Sequence, residues 1–293
     1  MLSGMLGDLW WPLDLFSHFR LQYSIGIVAC LLAFALCRAC RRTIIAAALG
    51  AYCLLTLGTL LRIDTTQPAY GTYLDLVHAN VLVGNPNTRT LIDELTAGDP
   101  DIVGLQEINA EWLRALEATD GYEVVFARSR EDSFGIALLA LKNAHVTVSE
   151  ARELQPGQPH TVAPAIEATL TLEGQRVRLL YMHTFPPMNP RYARARETML
   201  DWASEWVHKQ DDPTIVLGDL NATVWSAPYK RLLAETGLHN PGGVRGTWPT
   251  RLPPPMRIRI DHCLHDPLLH TTRYELLPAH GADHRPLRVR IGW

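Results

Sequence analysis

The chain begins with two long apolar stretches and then changes to short apolar runs that alternate with amphipathic segments. The 17 residues between Arg20 and Arg38 and the 19 residues between Arg42 and Arg62 contain no charged side chain. At about 1.5 Å per residue, helices of these lengths approach the ~30 Å hydrocarbon core of a membrane. Both stretches are apolar on every face rather than along one stripe. We therefore predict a transmembrane helical hairpin over residues 21–62, with two buried core helices as the alternative.

The connection between the two stretches, residues 38–42, has the sequence "RACRR" and is strongly basic. Short basic loops stay on the cytoplasmic side of a membrane, so both ends of the hairpin are expected to face outward. A cleaved signal peptide fits less well, because no small-x-small cleavage pattern follows the second stretch. These features predict a multi-pass protein of the cytoplasmic (inner) membrane. Residues 1–20, which contain several aromatic side chains, are expected to lie at the membrane interface, unless they form a disordered start.

The rest of the chain has the pattern of one folded domain on the periplasmic, extracytoplasmic side. Residues 63–73 are polar with Pro and Gly, which predicts a short linker before a domain over 74–293. Helices are predicted over residues 88–97, 110–119, 190–209 and 226–236. Strands are predicted over residues 74–82, 101–107, 122–127, 135–141, 146–150, 165–172, 177–183, 214–218, 258–264, 270–277 and 286–291. Hairpins mixed with single helices favour an α+β fold with packed sheets and outer helices.

The charge and cysteine content of this domain limit the ligands that it binds through overall charge and the way in which it is stabilised. The whole chain has 27 Lys+Arg and 30 Asp+Glu, and residues 1–62 contain 5 and 2 of these, which leaves 22 and 28 for residues 63–293. A domain with a net charge of −6 does not bind polyanions through its overall charge, so nucleic-acid binding would need a local basic groove. Only Cys263 lies in the domain, which excludes a disulfide framework within it.

Acids, amides and histidines occur where the predicted strands end or are interrupted. They are Asn80, Glu107, His183, Asp219, Asn221, Asp261, His262, Asp283 and His284. Each one alone has an ordinary explanation as a turn residue, a solvated strand end or a hydrogen-bonded core histidine. Their repetition at strand ends indicates a shared site, provided that the strands are neighbours.

These residue types suit metal-assisted hydrolysis of a phosphate ester. Glu107, Asp283 and Asn80 offer oxygen ligands, which fit Mg²⁺ better than Zn²⁺. Asp219 is suited to orient or deprotonate a water molecule. Asn221 is a neutral donor for negative charge on a phosphoryl oxygen. His284 suits proton transfer or phosphate binding, with a carboxylate such as Asp261 to fix its tautomer.

The ordered motifs resemble the endonuclease/exonuclease/phosphatase superfamily, which includes deoxyribonuclease I-like nucleases, sphingomyelinases and inositol polyphosphate phosphatases. The matching stretches are "HAN", "DIVGLQE", "FGIALLA", "YMH", "GDLNAT", "RIDH" and "GADHRPL", in the order that the family has them, and they cover roughly residues 73–293. The resemblance implies a four-layer α/β sandwich, two packed mixed sheets flanked by helices, with the site at one end of the sheets.

The resemblance also implies a role for each matching residue. Glu107 would be the principal metal ligand, with Asn80 and Asp283 nearby, and the metal would be Mg²⁺ or, alternatively, Mn²⁺. Asp219 would activate the attacking water, Asn221 and His183 would hold the phosphate, and His284 would donate to it while Asp261 orients it. The family's usual Ser before the last Asp-His pair is Ala282 here. We also expect Trp248 and Arg245 to contact substrate, although a core aromatic and a solvated loop are the alternatives.

Together these features predict a membrane-anchored, Mg²⁺-dependent phosphodiesterase. A nuclease-like activity on extracytoplasmic DNA or RNA is one possibility, and hydrolysis of phospholipid headgroups or other small phosphodiesters is the other. The predicted partners are this phosphodiester substrate and the membrane. A calcineurin-like metallophosphoesterase would need further Asn-His and Gly-His-x-His segments, which this sequence lacks. A binding domain that kept the fold without catalysis is a further alternative.

Overall fold

Two mixed β-sheets form the centre of the domain in this computed structural model, which describes residues 7, 9–36, 45–47, 49–51, 71–156 and 163–293. The strands are β1 (Tyr73–Asn80), β2 (Ile102–Gln106), β3 (Tyr122–Arg128), β4 (Ile136–Leu141), β5 (Val146–Leu154), β6 (Ala165–Leu172), β7 (Gln175–Met182), β8 (Thr214–Asp219), β9 (Asp261–His265), β10 (His270–Leu276) and β11 (Leu287–Gly292). The first sheet has the order β10-β11-β1-β2-β4-β3 and the second β5-β6-β7-β8-β9. The pairs β1–β2 and β7–β8 are parallel, and the other pairs are antiparallel.

Helices cover the outer face of each sheet. The helices are α1 (Trp11–Leu15), α2 (Arg20–Leu36), α3 (Thr88–Thr96), α4 (Ala110–Glu117), α5 (Pro190–His208) and α6 (Ala227–Thr236), and short 3₁₀ turns lie at Phe16–Phe19 and Pro254–Met256. One apolar core lies between the sheets, a second between the first sheet and α3 and α4, and a third between the second sheet and α5 and α6. The predicted α+β arrangement of two packed mixed sheets with helices is therefore confirmed.

The central strands form because their sequences are apolar on both faces. All five residues of β2 and all six of β8 are buried, as expected for strands covered by a sheet on one side and helices on the other. The sheets approach closely at Gly104, where an added Cβ would lie 2.6 Å from the Tyr181 ring. The predicted helices and strands of the domain all occur, with ends that differ by a few residues.

The predicted membrane hairpin is only partly described. Within the described residues, one helical run is long and apolar enough to cross a membrane: Trp11–Ala33, which comprises α1, the 3₁₀ turn Phe16–Phe19 and most of the apolar helix α2. Most of the second apolar stretch, the basic loop 38–42 and residues 63–70 of the linker lie outside the described residues. Residues 45–47 and 49–51 are helical, and a Cβ added at Gly50 would lie 3.0 Å from Leu31 Cδ1, so this short piece packs against α2.

The segment before α2 packs on the domain instead of standing apart from it. Asp14 in α1 is fully buried and contacts residues of α5 and α6. The predicted interfacial role of residues 1–20 remains a prediction, and residues 1–6 and 8 lie outside the described part of the chain.

Candidate active site

The carboxyl ends of four central strands meet at one edge of the two sheets and open into a cavity of about 650 Å³. Because β1 runs parallel to β2, and β7 parallel to β8, each pair delivers its terminal polar residues to the same place. The predicted site residues that line this cleft are Glu107, His183, Asp219, Asn221, Trp248, Asp283 and His284. Asn80 and Asp261 contact members of this set from below.

Gln106 ties the two sheets together beneath the cleft. Its side-chain amide donates to Met182 O at 2.8 Å, and its Oε1 accepts from Asp219 N at 3.1 Å. A Cβ at Gly218, which has a φ of +140°, would lie 2.1 Å from Met182 O in the same sheet and 2.6 Å from Gln106 Nε2 of the other sheet. The Gly-Asp pair of "GDLNAT" therefore places Asp219 at a sheet-to-sheet contact that no larger residue before it permits.

Asp261 is held between two imidazoles. Its Oδ1 lies 2.9 Å from His78 Nε2, and its Oδ2 lies 2.9 Å from His284 Nδ1. The other nitrogen of His78 lies 2.9 Å from the Tyr181 hydroxyl. Burial alone would raise the pKa of Asp261, but His284 and His78 lower that pKa below its usual range. Burial opposes the charged form of His284, yet the carboxylates of Asp261 and Asp219 raise its pKa to about 10.

Asp219 lines the cleft and lies directly across the β8–β9 pair from Asp261, its register partner. Its Oδ1 accepts from Asn221 N at 2.9 Å, and its Oδ2 lies 3.5 Å from His183 Nε2 and 3.8 Å from His284 Nε2. Burial raises the pKa of Asp219 to about 8, against the opposing effect of His284. Burial lowers the pKa of His183 to about 3, with a further contribution from His284, so His183 is neutral near pH 7.

Glu107 and Asp283 form a second acidic pair on the cleft wall. Asn80 Nδ2 donates to Glu107 Oε1 at 3.0 Å and to Asp219 Oδ2 at 3.4 Å, so one amide orients two carboxylates. Asp283 Oδ2 accepts from Trp248 Nε1 at 3.1 Å, while its Oδ1 is buried and has no hydrogen-bond partner among the described residues. Burial raises the pKa of Glu107, which the Asn80 hydrogen bond opposes.

Two backbone positions at the site adopt left-handed conformations that are uncommon outside glycine. Glu107 has a φ of +64° and Asn221 a φ of +46°. Glu107 N donates to Gly135 O at 2.8 Å, and Gly135 cannot carry a side chain because its Cβ would lie 1.8 Å from Ile108 O. The Asn221 side chain donates to Thr184 O at 2.8 Å. The backbone is thus fixed at the residues that face the cleft.

The carboxylates that line the cleft form a donor set that fits a divalent cation. Asp219, Glu107 and Asp283 face the cavity, and none of its lining residues within the described ranges is Lys or Arg. The remaining acid of the lining, Asp132, is paired with Arg130 at 2.6 Å. A second possible ligand group is Asp219, Asp261 and His284, whose ligand atoms lie within 4.8 Å of one another. Both oxygens of Asp261 already accept from imidazoles, which makes this group the poorer ligand set.

One predicted substrate contact does not belong to the cleft. Arg245 is exposed, donates from Nη1 to Tyr274 O at 3.4 Å and does not line the cavity. The expectation for Arg245 rested on its closeness in sequence to Trp248. Trp248, in contrast, lines the cleft and binds Asp283.

Three buried polar residues support the site and were not singled out from the sequence: His78, Gln106 and Tyr181. Gln106 directly precedes Glu107 and His78 lies two residues before Asn80, both in largely apolar strands. That position was the available signal, since a buried polar side chain needs a specific partner. The partner of His78, Asp261, is 183 residues away in the sequence, so the pairing required the fold.

Comparison with known proteins places the fold. The chain aligns structurally with D. rerio TDP2 in complex with a single-strand DNA product (18% identity, 76% of this chain and 100% of that chain, TM-score 0.63). It also aligns with a Bacteroides thetaiotaomicron mannosyl-6-phosphatase (17%, 75% and 100%, TM-score 0.59) and with the human Nocturnin catalytic domain (19%, 75% and 94%, TM-score 0.58). At these identities the likeness concerns the fold.

A search among curated proteins gave no match. The sequence profile of the Endonuclease/Exonuclease/phosphatase family matches residues 77–284, which is more than half of the chain and contains every residue of the predicted site. The chain therefore belongs to the Endonuclease/Exonuclease/phosphatase family.

Proposed function

We propose that this chain is a membrane-anchored, divalent-metal-dependent phosphoesterase that uses Mg²⁺, or alternatively Mn²⁺. Members of its family are phosphoesterases and nucleases, and the activity that they share is hydrolysis of phosphate esters. The observation that carries the proposal is the convergence of Glu107, Asp219 and Asp283 on one cleft beside the His284–Asp261 pair. Like charges gathered in a partly buried site need a cation to remain ionised together.

Glu107 and Asp283 would hold the metal, with Asn80 orienting Glu107. The unpartnered, buried Asp283 Oδ1 supports this assignment, because a buried carboxylate oxygen normally has a partner. When bound, a divalent cation would polarise the phosphoryl group and stabilise the negative charge that develops on its oxygens.

The neighbouring residues would carry the proton transfer and hold the phosphate. Burial raises the pKa of Asp219 to about 8, and a bound cation would favour its ionised form near neutral pH, which would accept a proton from an attacking water. His284 is protonated in the same range, and with Nδ1 held by Asp261 its Nε2 is free to donate to a phosphoryl oxygen. Neutral His183 and Asn221 would position the phosphate from the other side.

A membrane anchor is supported by the apolar helix and by the packing of the segment before it. That segment docks on the same domain to which the chain returns after residue 70, so both lie on one side of any membrane. An even number of crossings satisfies this condition, and a hairpin is the simplest case. The contact of the helical piece at Gly50 with α2 supports the same arrangement. The basic loop 38–42 favours an extracytoplasmic position for the domain.

Two substrate classes are consistent with this chemistry. A nuclease-like activity accords with the structural likeness to D. rerio TDP2, which was solved with single-strand DNA. A small or lipid phosphate ester accords with the absence of Lys and Arg among the described lining residues, since polynucleotide sites normally contain basic side chains that meet successive phosphates.

The test is an assay of the full-length protein on a single-stranded oligonucleotide, a panel of phospholipids and small phosphate esters, with Mg²⁺ or with EDTA. We expect hydrolysis that needs the metal and falls about a thousandfold in Glu107→Gln. Glu111→Gln, four residues away and exposed, is the matched control and should keep full activity. Activity that survives EDTA, or that is equal in both variants, would overturn the proposal, and hydrolysis of none of the substrates would favour the binding-domain alternative.

A further inference from the structure

The segment that precedes the apolar helix forms part of the active-site cleft. Leu15, His18 and Phe19 line the cavity together with Asp219, Asp283 and His284. Leu15 is the last residue of α1, and His18 and Phe19 lie in the 3₁₀ turn Phe16–Phe19. The helix α2 begins directly after this turn, at Arg20. Tethering alone does not require the segment before α2 to line the cleft, so this contact indicates a further role for the segment.

A buried ion pair fixes this segment to the domain. Asp14 Oδ2 accepts from Arg196 Nη2 and from Ser226 Oγ, both at 2.8 Å, and Asp14 Oδ1 accepts from Ala227 N at 2.8 Å. Asp14 and Arg196 are both fully buried. A buried ion pair is tolerated only when its geometry is good and its remaining hydrogen-bonding groups are largely satisfied, and removing one partner is strongly destabilising. The docking is therefore specific.

The same arginine connects the segment to the catalytic loop. While Nη2 of Arg196 binds Asp14, its Nη1 donates to Asn221 O at 2.9 Å. Asn221 in turn binds Asp219 through its backbone N–H. One guanidinium thus spans the anchor segment and the loop that positions Asp219.

Around its acidic floor the cleft is lined largely by apolar side chains. Besides Leu15 and Phe19, they include Phe134, Tyr192, Trp248 and Ile260. Phe185 packs against Phe134 and Tyr192 in tilted ring pairs, with centroids 4.6 and 5.0 Å apart. The apolar lining suits an apolar group attached to the phosphate that is hydrolysed.

The cleft also opens next to the start of the apolar helix. In the first turn of α2, Gln22 Nε2 donates to Pro255 O at 3.0 Å and to Arg257 O at 3.1 Å. This contact places exposed Met256 beside the helix, and Phe19 and Met188, which line the cleft, are also large apolar side chains left exposed. Such a cluster at the foot of a membrane helix is typical of a surface that contacts lipid.

We propose that Leu15 and Phe19 are specificity-determining residues that bind the acyl chain of a membrane lipid phosphate ester while its phosphate lies on the acidic floor. Asp14 acts as the positioning residue that holds them there. This proposal rests on the proposed phosphoesterase function and adds to it the substrate class and the part of the chain that selects it. A polynucleotide is the competing substrate, and its sugar-phosphate backbone would find no Lys or Arg among the described residues of the lining to meet successive phosphates.

The test compares esters that share one headgroup and differ only in the acyl chain. The full-length protein in amphipol would be assayed on lysophosphatidic acid against glycerol 3-phosphate, on lysophosphatidylcholine against glycerophosphocholine, and on a single-stranded oligonucleotide. In the double variant Leu15→Ala/Phe19→Ala we expect kcat/KM for the hydrolysed acylated ester to fall at least about tenfold more than for its non-acylated partner. Phe16→Ala is the matched control, because Phe16 is exposed on the same turn but does not line the cavity. The single variant Phe19→Leu, which keeps an apolar side chain at this position, should retain most of the wild-type preference for the acylated ester.

A binding measurement keeps the test independent of turnover. In EDTA, dodecylphosphonate should bind the wild-type protein at least about tenfold more tightly than methylphosphonate does, and the double variant should lose this difference. Equal losses on acylated and non-acylated esters, no loss on either, or metal-dependent cleavage of the oligonucleotide alone would overturn the inference and leave the phosphoesterase function intact. Absence of metal-dependent hydrolysis on every substrate would instead overturn the proposed function, and the inference with it.

Discussion

The two halves of the site contain similar residues under opposite electrostatic conditions. Asp261 and Asp219 are register partners on neighbouring strands, and both are buried. Asp261 accepts from two imidazoles, which lower its pKa despite burial. Asp219 lies with Glu107 and Asp283, where burial raises its pKa to about 8. The first half is neutralised by side chains of the chain itself, whereas the carboxylates of the second half outnumber its positive charges, and we propose that a bound cation balances them.

The largest effect is expected from removing the base in the half that is short of positive charge. Asp219→Asn keeps the size of the side chain but cannot accept a proton, so kcat should fall by about a thousandfold, within the range known for general bases. Steady-state kinetics of the full-length protein would measure this loss. A decrease of less than about tenfold would show that Asp219 does not carry the proton transfer.

A smaller effect is expected in the self-neutralised half. Asp261→Asn should lower kcat by roughly a hundredfold, because Asp261 acts through His284 and does not face the cleft itself. It should also change the pH profile. Since Asp261 and Asp219 raise the pKa of His284 to about 10, the wild-type His284 stays protonated through pH 8.

In the Asp261→Asn variant the pKa of His284 should move back toward its ordinary value, so that activity is lost as the pH rises from 6 to 8. The wild-type protein should keep activity over that range, apart from changes that both proteins share. Parallel pH profiles in the two proteins would contradict the assigned role of the Asp261–His284 pair.

The smallest effect concerns a histidine beside the site that we interpret as structural. His262 is fully buried and its Nε2 lies 2.8 Å from Ala222 O. Burial, with a contribution from Arg259, lowers the pKa of His262 well below its ordinary value. In the unfolded chain it binds a proton below about pH 6.5, whereas in the folded chain it does not. Its contribution to stability is therefore present above pH 6.5 and is lost as the pH falls.

The comparison with His262→Gln isolates this contribution. Between pH 6 and 4.5, the free energy of unfolding of the wild type should fall relative to the variant by up to about 1.4 kcal/mol per pH unit. Denaturant unfolding of both full-length proteins at a series of pH values measures the difference. A constant difference across this range would show that His262 is protonated in the folded protein.

Much of the fold was predictable because the domain has strong local patterns. Apolar runs such as β2 and β8 predict buried strands, and their terminal acids predict a shared edge. The support beneath that edge was not predictable, because His78 meets Asp261 and Gln106 meets Met182 only across the packed sheets. Arg245 shows the converse, since closeness to Trp248 in sequence did not bring it to the cleft.

The anchor segment was the least predictable part for a similar reason. From the sequence, residues 1–20 suggest an interfacial or disordered start, and the polar neighbours of Asp14 within the segment, Ser17 and His18, do not predict that it is buried against the domain. The partners of Asp14 lie in α5 and at the start of α6, roughly 180 to 210 residues later. Long-range ion pairs of this kind leave no periodic signal in the sequence.

The most direct test of the central claim is metal binding to the two halves of the site. Mn²⁺ would be titrated into the full-length wild type, Glu107→Gln and His284→Gln, and followed by electron paramagnetic resonance. We expect one ion per wild-type chain, binding weakened at least about tenfold in Glu107→Gln, and affinity in His284→Gln that equals or exceeds that of the wild type, because a positive charge has been removed. Loss of the ion in His284→Gln with retention in Glu107→Gln would place it in the Asp219, Asp261 and His284 group and contradict the division between the two halves.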